Sequence, residues 1–130
     1  MKSFPITGMG ATAVGLSLSR YPAGKALAVL LLIRWPASDD GPENTEEHPL
    51  SVNLTDRKEL ALVSSQLPEN HFYAKNWSEN ENIYQDCLRE GLFEETGVRA
   101  RTGFVAAPLC KLTQKGLDWV KESQSLMAAR

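Results

Sequence analysis

Asn82, Gln85, Asp86 and Arg89 recur at intervals of three and four residues, the spacing that lines up one face of an α-helix. Ile83, Cys87 and Leu88 fill the other face with apolar groups, so the polar four are expected to point outward. Asparagine and glutamine amides can each pair with adenine through two hydrogen bonds, and an arginine fork can pair with guanine. Plain solvation of the same side chains is the alternative. A second set of candidate side chains lies downstream. Between Thr96 and Arg130 there are six bases (Arg99, Arg101, Lys111, Lys115, Lys121, Arg130) against two acids, Asp118 and Glu122, a net charge of +4. Arg99, Arg101 and Lys111 are then either phosphate contacts or ordinary surface charge.

No residue set points to catalysis. His48 falls in or beside an acidic loop and His71 in an aromatic stretch, with no serine or cysteine nucleophile placed to use them. Cys87 and Cys110 lack the paired spacing of a zinc site or a redox motif. Cys87 reads as a core thiol, and two such cysteines suit a reducing, cytoplasmic setting. Arg89-Glu90-Gly91-Leu92-Phe93-Glu94-Glu95-Thr96-Gly97-Val98 is similar to the end of a Nudix box, the helix whose glutamates hold magnesium beside a diphosphate. One residue too many separates Arg89-Glu90 from Glu94-Glu95. In a helix that turns the two pairs about 100° apart. The expectation is a non-enzyme with no cofactor and no metal.

The elements that would hold these side chains follow from period and punctuation. Ser78-Glu79-Asn80-Glu81 has the form of a capping box, opening a helix over about 78–90 that Gly91 ends in a left-handed conformation. Leu92-Phe93 starts an extended segment. Glu94 to Thr102 is mostly polar and Phe104 to Leu112 is apolar and extended, so two short strands around a flexible loop are expected, the whole unit covering about 94–108. Thr113 caps a last helix, Gln114 to about Met127, with Leu117 and Val120 inward and Trp119 half-buried. Upstream, Ala23 to Trp35 reads as a first helix because Ala26, Leu27, Ala28, Leu30, Leu31 and Leu32 are good helix formers; a central strand is the competing reading of so uniform an apolar run. Asp39, Asp40, Glu43, Glu46 and Glu47 mark a solvated acidic loop. Leu50 to Leu54 alternates like a short strand, and Thr55 caps a helix that Pro68 ends. Residues 1–20, broken by Pro5, Gly8, Gly10 and Gly15, read as an irregular arm and not as a secretory signal. No apolar run is long enough to cross a membrane as a helix.

Leu88-Arg89-Glu90-Gly91-Leu92-Phe93, followed by a loop and by Lys111-Leu112-Thr113-Gln114-Lys115-Gly116-Leu117, resembles the winged helix-turn-helix transcription regulators. There a recognition helix leaves through a Gly-Leu-apolar step into the first wing strand, and Leu-Thr-x-Lys-Gly caps the final helix. The resemblance covers about residues 23–122. It implies an α+β winged helix over 21–130 behind the arm of residues 1–20, acting as a cytoplasmic homodimer on double-stranded DNA. Asn82, Gln85 and Arg89 would be base readers, and Arg99, Arg101 and Lys111 phosphate contacts. Glu79 and Glu81 in the first turn, and seven acids against four bases over residues 55–90, point the same face toward the alternative, a winged helix that binds a protein.

Overall fold

The apolar run between Lys25 and Arg34 is a strand. In the computed structural model, which describes residues 3–22, 25–54, 67–102 and 105–128, β3 spans Leu27–Trp35 and is paired on both sides, antiparallel to β2 (Thr12–Arg20) and to β4 (Asn44–Pro49). Val29, Leu31 and Ile33 are fully buried on one face, and Ala28 and Leu32 are buried on the other. A strand enclosed on both faces loses the period of two, which is why helix formers and a continuous apolar run misdirect the sequence reading. The arm is also strand: β1 (Phe4–Pro5) pairs with β2, giving a sheet ordered β1-β2-β3-β4. Leu16-Ser17-Leu18-Ser19 has the alternation of a half-buried strand, and the two glycines of positive φ, Gly8 and Gly10, belong to the turn before it. Part of the acidic loop is β4 itself. Leu50 to Leu54 contributes one bridge, Ser51 to Ala74.

The C-terminal half forms a second antiparallel sheet, ordered β5-β7-β6, from β5 (His71–Tyr73), β6 (Phe93–Thr102) and β7 (Val105–Leu112). A short 3-10 turn, Ser78–Asn80, leads into helix α1 (Glu81–Arg89), and α2 (Gln114–Ala128) follows β7. Ile83, Tyr84 and Cys87 of α1 seal a core with Phe72, Phe93, Cys110 and Leu112 of this sheet and with Leu16, Leu31 and Ile33 of the first. The Phe72 and Phe93 rings meet edge to face at 5.2 Å. Helix α2 packs along β2, where the ladder slips between Ala13 and Gly15; the nearby Leu16 N–H donates to Ser123 Oγ at 2.9 Å.

The winged-helix expectation is therefore corrected. A winged helix needs about three helices; the described residues hold two α-helices and seven strands, and its first helix is β3. The expected helix after Thr55 lies outside the described residues. With the helix-turn-helix goes the structural ground for base reading and transcription regulation. Among the described residues no helix is long and apolar enough to cross a membrane.

Candidate functional site

Helix α1 does not carry a free recognition face. Ile83 and Cys87 are buried as expected, and Asn82, Gln85 and Arg89 are exposed. Asp86, expected outward, is 1% exposed. Its Oδ2 accepts from the Thr7 N–H at 2.7 Å and its Oδ1 from the Thr7 hydroxyl at 2.8 Å. Arg89 turns back onto the same carboxylate at 2.9 Å, and Asn82 lies against Gly8. The turn between β1 and β2 thus sits on the ridge that was to face DNA. The capping box is also absent: neither Trp77, at the cap of the 3-10 turn, nor Asn80, at the cap of α1, makes a side-chain cap bond, and Ser78 adopts a φ of 59°.

The three downstream bases do not form one patch. Paired residues share a face of a sheet, so the register Arg99↔Pro108 and Arg101↔Ala106 puts both arginines on the face that carries Cys110, Leu112 and α1. Lys111 stands on the opposite face, between His71 of β5 and Glu94 of β6. Arg99 is paired with Glu95 at 3.3 Å. A bulge between Glu95 and Arg99 sets this arrangement, and nothing in the sequence reveals on which face each strand's bases lie.

The Nudix-like segment is the end of α1 followed by β6, so Glu94 and Glu95 are neighbours on a strand and point to opposite faces. Among the described residues no group of three or more His, Cys, Asp or Glu side chains could hold a metal ion. Burial pushes the Cys87 thiol well up and Cys110 up to about 11, with the Tyr84 hydroxyl 3.6 Å from Cys110 Sγ pulling the other way. Tyr84 itself is raised by burial and then by Cys110. Thiols held protonated in this way fill space and are poor nucleophiles.

A concave, charged feature of the described residues lies elsewhere, at the tip of the β3–β4 hairpin. A groove of about 470 Å³ is lined by Trp35, Pro36, Ser38, Asp40 and Pro42, together with Gly10 of the β1–β2 turn. Trp35 Nε1 donates to Glu46 Oε1 at 2.8 Å, which fixes the indole. Ser38 and Gly41 exchange backbone hydrogen bonds of 2.8 and 3.1 Å and hold Asp39 and Asp40 at the tip. The acidic run is visible in the sequence, where it has the composition of a solvated loop. Its missing signal was β4, whose polar residues alternate with nothing apolar. No protein-family model, curated protein or solved structure matches the chain.

Proposed function

We propose that this chain is a protein-binding module that adds an extended, basic segment of a partner to the free edge of β4. The observation that supports it is the charge of that edge. Residues 34–48 carry Asp39, Asp40, Glu43, Glu46 and Glu47 against Arg34 alone, five minus one, a net charge of −4. The first sheet ends on β4, so among the described residues its outer backbone groups have no strand partner. Its side chains from Asn44 to Glu47 are exposed. Carboxylates along an edge repel a second copy of the same strand and repel nucleic acid. A strand with lysine or arginine at alternate positions relieves both penalties and supplies main-chain hydrogen bonds. The ladder from Leu30↔Pro49 to Trp35↔Asn44 runs without a bulge, whereas the β6 edge is broken between Glu95 and Arg99.

Selection of short random displayed peptides on the immobilised protein tests this reading. Enriched peptides are expected to carry lysine and arginine at alternate positions, to weaken at high salt, and to lose binding to a Glu46→Lys, Glu47→Lys variant. Peptides without a basic excess, or peptides that bind that variant equally well, would overturn it.

A further inference from the structure

The groove beside β4 deepens the strand-addition reading, on which this inference rests. We propose that the groove between Trp35 and Asp40 is an arginine subsite, taking the guanidinium of a residue near one end of the docked segment. Trp35 is the last residue of β3 and pairs with Asn44, the first of β4, so the groove opens where a strand added to β4 would begin or end. The indole N–H is already bound to Glu46. What Trp35 offers a ligand is therefore its ring, half-buried against the core and held in one orientation. Asp40 lies in the same groove, in a tip fixed by the Ser38–Gly41 pair and by its own N–H donating to Ser38 Oγ at 3.3 Å. Its carboxylate has no ion pair among the described residues.

A fixed aromatic face and an unpaired carboxylate in one groove call for a ligand that is flat, cationic and able to donate a forked pair of hydrogen bonds. Guanidinium meets all three demands. An ammonium keeps the charge and loses the plane. The urea of citrulline keeps the plane and loses the charge. Pro36 and Pro42 bring no backbone N–H donors to the groove, and Asp40 is the carboxylate among its lining residues.

The test is a titration of the nitrogen-15-labelled full chain with N-acetyl-arginine amide, read at the indole N–H resonances. Trp35 is assigned by its loss in Trp35→Phe, and Trp77 and Trp119 serve as internal references. A saturable shift of Trp35 alone is expected, with an affinity about fivefold above that of the lysine and citrulline amides. Asp40→Asn, at an exposed position, should weaken it by about fivefold. An equal response to all three amides, or an unchanged response in Asp40→Asn, would overturn the subsite. If selected basic peptides bind β4 while arginine amide leaves Trp35 unmoved, the subsite falls and strand addition stands. If arginine amide moves Trp35 and no peptide binds, strand addition falls and takes with it the groove's place in a peptide site.

Discussion

Between Thr12 and Pro49 one apolar side chain after another meets a partner across the ladder: Ala13 with Ile33, Leu16 with Leu31, Leu18 with Val29. Each contributes in proportion to the area it buries, and no single pair is indispensable. The junction of α1, β6 and α2 is built differently. The Leu92 carbonyl accepts from the Thr113 N–H and the Thr113 hydroxyl, both at 3.1 Å. That hydroxyl shares its one proton between the Leu92 and Gly91 carbonyls and receives the Gly116 N–H at 3.1 Å, capping α2. Gly116 lies so close that a Cβ there would stand 2.2 Å from Leu92 O. One region is held by many interchangeable contacts and the other at a few atoms. Substitutions of similar size should therefore have very unequal effects in the two.

The largest effect is expected at Gly116. Adding one methyl group in Gly116→Ala drives a carbon into a carbonyl already held by two hydrogen bonds, and neither the helix nor β6 can yield cheaply. A loss of about 3 kcal/mol is expected in denaturant unfolding; a loss under about 1 kcal/mol would mean the junction gives way and the contrast with the ladder disappears. Next comes Asp86, the tie between the two regions. Asp86→Ala removes the acceptor for both Thr7 donors and for Arg89. Thr7 is exposed and can turn to water, which limits the cost to about 2 kcal/mol. Faster hydrogen exchange at the Thr7 amide in that variant, with β3 amides unchanged, would localise the damage to the tie.

The same contrast explains what was legible in the sequence. Punctuation acts locally, so the junction could be read: Gly91 has the expected left-handed φ of 75° and Thr113 caps α2, but the polar stretch expected as a flexible loop, Glu94 to Thr102, is strand β6 itself. The reading failed where only long-range pairing decides. Nothing within residues 23–35 says that β2 and β4 will enclose them. Asp86 and Trp119, placed outward and half-buried by helical period, are drawn in by Thr7 and by the Phe4 ring at 5.6 Å, partners more than seventy positions away. The two motif marks around Gly91 and Thr113 do meet in space, but the contact between them is compatible with more than one fold, and here it closes a β-rich one. Of the candidate site, the acids are visible in the sequence and the groove is not, because the helix formers before Trp35 point to a helix where the chain forms β3.

Two smaller substitutions sharpen the comparison. Gly91→Val meets no steric obstacle, since the nearest atom to a Cβ is Lys115 Cδ at 3.9 Å; its cost is backbone strain alone, about 1–2 kcal/mol for a β-branched residue at positive φ. An unchanged unfolding midpoint would show that the chain leaves α1 by another route. Ile33→Val, at the centre of the ladder and fully buried, should cost only about 1 kcal/mol. If it costs as much as Gly116→Ala, the ladder is no more tolerant than the junction.

The smallest effect is expected at the seam between the regions. Lys75 donates its backbone N–H to Leu50 O, just beyond β4, and its ammonium to Glu79 Oε1 at 2.8 Å, at the start of the turn into α1. The hydrogen bond from Lys75, aided by the backbone N–H and the Ser78 hydroxyl, lowers the Glu79 carboxyl from 4.5 to about 2. A carboxylate with a native pKa below its unfolded one stabilises the fold above the unfolded value, and that contribution disappears as pH falls from about 4.5 toward about 2. Glu79 is open to solvent and Lys75 partly so, and salt and side-chain entropy offset nearly all of it. The readout is accordingly the titration of Glu79 followed by NMR. Lys75→Met should return Glu79 toward the ordinary carboxylate range and leave the unfolding midpoint at neutral pH almost unmoved. A wild-type Glu79 that already titrates near 4.5 would mean that Lys75 does not reach it, and would free Ser78 to cap α1 as the sequence suggests.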